Sequence, residues 1–173
     1  KSLPIRLRNA NVTSGEDWFK AELVVDHGEQ VRAELLFASN QDGSFTMHEK
    51  LVALTDMATS KIATGQIGIL NNPGWVYERE RRTIAIDGRE EEVPALSGKT
   101  LGAAGVREIV VDGVLHIRGA QPLRIQYHGA EQPSRSRATD LLYLNHVDGQ
   151  RSWRTGETVS EYEAVVDVIP SRP

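Results

Sequence analysis

Between Val31 and Phe37 the chain alternates: Val31, Ala33, Leu35 and Phe37 are interleaved with Arg32, Glu34 and, at position 36, one further leucine. A period of two puts one face of a strand in water and the other in a core. Trp18–Val25 reads as the strand before it and Glu29–Ala38 as the strand itself, joined through Asp26-His27-Gly28. Asp-Gly pairs punctuate the rest, at 42–43, 87–88, 112–113 and 148–149. Asp-Gly tolerates the positive φ values of a tight hairpin, so it predicts a turn wherever strands flank it. Thr83–Ile86 and Val93 flank the second pair. Glu108–Val111 and Val114–Arg118 flank the third, which is the clearest hairpin of the chain. Further strands are expected at Gln66–Leu70, Trp75–Arg79, Leu123–His128, Leu141–His146 and Val159–Ile169, with Pro170 and Pro173 ending regular structure. That makes about ten strands.

One segment carries another period. Met47, Leu51, Leu54, Ala58 and Ile62 follow a helical spacing. Thr46 with Glu49 three residues on forms a capping box, and Gly65 stands where a left-handed helix end belongs. The pattern predicts one amphipathic helix from Met47 to Ile62. Two loops are expected, Pro94–Val106 with three glycines and the polar Gly129–Ala138 with Arg135 and Arg137.

Many antiparallel strands with a single helix exclude a doubly wound α/β sheet, which needs a helix for each crossover. The fold class expected is mainly β with one amphipathic helix (α+β): an antiparallel β-barrel or sandwich with a flanking or plugging helix. The alternative is a hotdog-like curved sheet wrapped around that helix. Lys50, Asp56, Thr59 and Lys61 would be awkward in a sheathed central helix and favour the first arrangement.

Length and composition then narrow the function. The 173 residues suit a single β-rich domain, 1–173, with a core large enough to need no crosslinks. There is no cysteine, which excludes disulfides, thiolate zinc sites and a cysteine nucleophile. The net charge of −4 argues against an attraction of the whole domain to nucleic acid or to an anionic membrane. No apolar run reaches the ~18 residues of a membrane helix, and 6% aromatics fall short of the girdles of an outer-membrane barrel. The chain begins Lys1-Ser2-Leu3-Pro4, which reads as the product of removing a signal peptide, a tag or the rest of a larger protein. The compartment stays open.

The chemistry is sparse. His116, His128 and His146 each fall in an expected strand. Pairing Arg118 with Leu123 across a Gly119–Pro122 turn would set His116 and His128 about 10 Å apart, too far to share an ion. No metal site and no cofactor is expected. Serine hydrolysis lacks a Gly-x-Ser-x-Gly elbow, and Gly98-Lys99-Thr100 lacks the first glycine of a phosphate loop. Trp75, Tyr77, Arg79, Arg81 and Arg82 form the densest aromatic and basic cluster, suited to stacking and to anionic groups. Glu78 and Glu80 alternate through it, and Glu90–Glu92 lie across the Asp87-Gly88 turn, so cross-strand charge pairing accounts for it equally well. Trp18, Trp75 and Trp153 are core or rim residues, or platforms for a sugar ring.

Two resemblances enter here. His48 and Glu49 open the expected helix and Asp56 follows, and a helix-borne His or carboxylate beside a curved sheet is similar to the plan of hotdog thioesterases and dehydratases. That resemblance implies acid–base work by His48 or Asp56 on an acyl or similar small molecule, a pocket at the helix N-terminus and a homodimer. No glycine-rich turn or acyl-enzyme motif accompanies it. Arg124-Ile125-Gln126-Tyr127, Leu142-Tyr143-Leu144 and Trp153-Arg154 are loosely similar to the WYL domains of bacterial regulators, without the Trp-Tyr-Leu tripeptide or a helix-turn-helix ahead of it.

The first expectation is therefore a non-catalytic β-domain that binds a small-molecule or protein ligand through Trp75, Tyr77, Arg79, Arg81 and Arg82. The second is a small hotdog-type enzyme using His48 and Asp56. The third is an arginine-mediated binder of phosphate-bearing ligands.

Overall fold

Runs rich in β-branched residues and broken by Asp, Gly and Ser fold as strands at every place the structure describes. It is a computed structural model and describes residues 4–70, 81–94, 97–129 and 139–169. Eleven strands follow in order: β1 (Ile5–Ser14), β2 (Phe19–His27), β3 (Val31–Ser39), β4 (Phe45–Ala53), β5 (Met57–Leu70), β6 (Arg81–Ile86), β7 (Arg89–Pro94), β8 (Thr100–Val111), β9 (Leu115–His128), β10 (Thr139–Trp153) and β11 (Thr158–Val168). The expected strand Trp75–Arg79 and most of the expected loop Gly129–Ala138 lie outside the described residues.

The chain divides into two units. The first comprises residues 1–62 and 148–167, the second residues 63–147 and 168–173. In the first, β1, β2, β3, β4 and β11 lie side by side, all antiparallel. Register places Ala33 opposite Leu51, Phe37 opposite Met47 and Met47 opposite Ala164, so one face of this sheet is apolar. Ala33, Leu51, Ala53, Ala164 and Val166 are buried there. In the second, β7, β6, β8 and β9 follow in order, with β10 on β9. Its core is built from Ile84, Ile109, Ile117, Leu123, Ile125 and Leu144, all at most 2% exposed. β5 and β10 pair with each other and contribute residues to both units.

No helix occurs among the described residues, which corrects the α+β expectation. Neither a barrel or sandwich with a flanking or plugging helix nor a hotdog sheet around a helix describes this chain. Within its own unit each sheet is open: among the described residues β1 pairs only with β2, and β7 only with β6. The segment from Met47 to Ile62 forms most of β4, a turn over Leu54–Asp56, and the start of β5. The physical reason lies in the spacing. A four-residue step is two strand repeats as well as roughly one helical turn, so Met47 to Leu51, and Leu54 to Ala58 to Ile62, fit either period. Only the odd step from Leu51 to Leu54 spoke for a helix, and the chain turns there. The capping box dissolves as well. The Thr46 hydroxyl donates to Asn40 Oδ1 at 3.2 Å, while Glu49 accepts from the Tyr162 hydroxyl directly opposite on β11.

Other expectations divide. The hairpins at Asp87-Gly88 and Asp112-Gly113 are present, with both aspartates and both glycines at positive φ. Asp148-Gly149 makes no hairpin and lies inside β10. Pro94–Val106 is not one long loop, because Thr100 onward is β8. Gly119–Pro122 does not reverse the chain either. β9 runs through it, and the register with β8 shifts between Val106 and Glu108 to accommodate four residues between Leu123 and Arg118. A Cβ on Gly119 would stand 2.4 Å from Gln121 O and 2.7 Å from Leu123 Cγ, so this fold of the backbone demands glycine. With that turn gone, His116 faces Val110 and His128 faces Thr100 along one ladder.

Candidate functional site

The first unit carries a groove where two turns meet. The β4–β5 turn supplies Asp56, the start of β5 supplies Met57 and Ala58, and the end of β10 with the following turn supplies Ser152, Trp153, Arg154 and Glu157. Its volume is about 660 Å³. Backbone bonds hold the turns together. Gly156 N donates to Ala53 O at 2.7 Å, Ala53 N to Glu157 O at 3.0 Å, and Glu157 N to Arg154 O at 3.0 Å.

Side chains fix the same geometry. Asp56 Oδ1 accepts from Thr155 N at 2.9 Å and from Thr155 Oγ1 at 3.1 Å. Glu157 Oε2 accepts from Arg154 N at 2.7 Å. Each carboxylate is thus anchored by one oxygen, and the other takes no partner among the described residues. The indole N–H of half-buried Trp153 and the Arg154 guanidinium likewise take no partner among the described residues. An aromatic body, two oriented acceptors and a cation line one depression. A second depression of about 510 Å³, in the other unit, offers Asp87, Arg89 and Glu91 beside Ala103 and Val106 but no aromatic. Asp87 Oδ1 there is occupied by Arg107 N and Glu108 N, both at 2.9 Å, and Glu91 is paired with Lys99.

Of the residues singled out from the sequence, Asp56 belongs to the groove. His48 does not. It lies on β4, where Nε2 meets Glu161 Oε1 of β11 at 3.0 Å, and the structure does not unite it with Asp56. Trp75, Tyr77 and Arg79 lie outside the described residues. Arg81 is exposed and pairs across the β6–β7 hairpin with Glu92 at 2.6 Å. Arg82 points inward. Its Nη1 is 2.6 Å from Asp112 Oδ2 and its Nε 2.7 Å from Asp140 Oδ2, with all three side chains at most 12% exposed. Asp112 also accepts from Thr83 N at 2.9 Å, and the Tyr127 hydroxyl donates to Asp140. Burial, then the charge of Asp140, pushes the Tyr127 phenol up. The cluster ties the β8–β9 turn, β6 and β10 of the second unit to one another.

The histidines are engaged separately: His128 with Thr100 Oγ1 and Gln126 Oε1, at 3.1 and 2.8 Å, and His116 with Gly113 O at 3.4 Å. No group of three or more His, Asp or Glu side chains among the described residues is placed to hold a metal ion. No helix among those residues is long and apolar enough to cross a membrane. Glu157 follows no motif in the sequence, and Arg154 stands out only within the Trp153-Arg154 pair of the WYL-like resemblance, not as a groove residue. The only trace of the groove was their proximity to Trp153, already noted as a platform. No protein-family model matches the chain, and no curated protein matches it in sequence.

Proposed function

We propose that the chain is a non-catalytic binding domain whose groove at Asp56, Trp153, Arg154 and Glu157 takes a saccharide. The observation that carries this reading is the pairing of a half-buried tryptophan with two carboxylates that each hold one oxygen on the backbone and leave the other unengaged. A sugar ring offers an apolar C–H face for an indole and a rim of hydroxyls for fixed acceptors. Acceptors already held in place lose little freedom on binding. The reading as a binder rather than a hydrolase follows from exposure. Asp56 and Glu157 are both open to solvent, whereas a general acid of this kind relies on burial beside apolar groups.

A panel of immobilised glycans tests it. The wild-type chain is expected to be retained on a subset of them, and Trp153→Ala and Asp56→Asn are expected to abolish retention while the circular-dichroism spectrum stays unchanged. Retention of no glycan, or retention that survives Trp153→Ala, would overturn the proposal. Release of reducing ends from a retained glycan would overturn its non-catalytic part.

A further inference from the structure

β1 and β7, each an outer strand of its own unit, are unlike. β7 is short, with three glutamates in six residues and Pro94 at its end, the usual protection of a strand edge that stays in water. β1 has none of this. It is ten residues long, exposed at every position, and among the described residues pairs on one side only. Ile5, Leu7 and Val12 are 71%, 58% and 64% exposed.

Register shows what these side chains belong to. Ile5 and Leu7 lie opposite His27 and Val25. After the shift between Leu7 and Asn9, Ala10 and Val12 lie opposite Leu23 and Ala21. The shift therefore keeps all four on the face that continues through Val25 and Ala33 to Leu51. That face is core at Ala33 and Leu51 and loses its cover step by step toward β1. The hydrogen-bonding phase is also set. Gly28 N donates to Pro4 O at 2.7 Å, so Pro4 and Arg6 bond toward β2, while Ile5 and Leu7 turn their N–H and C=O groups outward.

Charge selects the occupant. β1 carries Arg6 and Arg8 and no acid. Buried Asp26 already holds both Arg8 and Arg32, and Arg6, directly across from it, has no partner among the described residues. The edge thus keeps a surplus of positive charge next to an uncovered apolar row. A second copy of β1 would add only more arginine.

We propose that β1 is the docking edge for an extended segment of a partner protein in which apolar residues alternate with acidic ones. The added strand takes the outward groups of β1, continues the apolar face with its own apolar residues, and sets a carboxylate against Arg6.

The test is fluorescence anisotropy on the full chain with a labelled peptide alternating Val and Glu, and with its Val and Lys counterpart. The Glu peptide is expected to bind about tenfold more tightly, through the sum of exposed charge pairs, and to weaken with salt. Leu7→Pro removes an outward donor while leaving the bonds to β2 intact, so it is expected to abolish binding. Arg6→Glu, at an exposed side chain with no hydrogen bond or ion pair among the described residues, is expected to reverse the preference while the chain stays folded. Equal binding of the two peptides, binding of neither, or binding that survives Leu7→Pro in folded protein would overturn the proposal. Sedimentation showing a dimer that Leu7→Pro dissociates would overturn it as well, since the occupant is then a second copy.

Discussion

Arg82→Met is expected to unfold the second unit far more readily than its position in a basic cluster suggests. The guanidinium stands 2.6 Å from Asp112 and 2.7 Å from Asp140, and the three side chains are 12%, 11% and 7% exposed. Removing the cation leaves two carboxylates near one another and out of water. Stranding the partners of a buried pair costs about 3–5 kcal/mol. The donors that remain include Thr83 N and the Tyr127 hydroxyl, which are neutral and soften this, so the expected loss is about 3 kcal/mol. Urea unfolding followed by circular dichroism reads it from the shift in midpoint at constant slope. Adding Asp140→Asn removes one of the stranded charges, so the double variant is expected to be more stable than Arg82→Met alone. A loss below about 1 kcal/mol is the value of a solvated surface pair. That outcome would refute the reasoning and return Arg82 to the side chains available for a ligand.

Tyr162→Phe is expected to flatten the alkaline limb of stability. Burial, then the charge and hydrogen bond of Glu49, raises this phenol above its ordinary value of 10.0, so the unfolded chain ionises first and stability falls as pH rises beyond that value. Thermal melts at about pH 9 and about pH 11 check it: the wild type loses more than the variant between them. Asp26→Asn acts on the acid side. Hydrogen bonds from Arg32 and Arg8 hold the Asp26 carboxyl below its ordinary 3.8, so its contribution is present above that value and lost as pH falls through the lower, folded one. Melts on either side of about pH 4 are expected to show a smaller acid dependence in the variant. Gly88→Ala tests the hairpin turn, where φ is +77° and nothing lies within 4 Å of the added carbon. The cost is therefore backbone strain alone, about 1–2 kcal/mol by urea unfolding.

Strand propensity and turn chemistry carried most of the fold into view, and the exceptions have separable causes. The β2–β3, β6–β7 and β8–β9 hairpins were legible because alternation and turn residues agreed in each. Asp148-Gly149 has the same dipeptide without the reversal, since the turn residue permits a bend and only the pairing of its flanks makes a hairpin. β1 was missed because its apolar residues face no core in this chain, and its residues 7 to 9 break the alternation at a register shift. The Met47–Ile62 segment misled because four-residue spacing satisfies both periods. Val52, Thr55, Thr59, Ile62 and Thr64, all β-branched, were the contrary signal, since such side chains lose freedom in a helix and pack well on a pleated surface.

The site was less legible than the fold because it depends on distant segments meeting. Asp56 and Trp153 stood out one by one, yet they are 97 positions apart and share a groove only because the β10–β11 turn bonds back onto the end of β4. Arg82 illustrates the converse. Local sequence grouped it with Arg81 as a candidate contact, but neighbours on a strand point to opposite faces. Arg81 went to solvent and Glu92, and Arg82 went inward to Asp112 and Asp140. Within an arginine run on a strand, alternate residues therefore have different employments, and only the outward ones remain for partners. On β1 the period of two would put Arg6 and Arg8 on one face, and the register shift separates them. Arg8, the residue inside the register shift between Leu7 and Asn9, reaches back to buried Asp26, while Arg6 stays uncommitted at the edge, where an added strand would bring its acid.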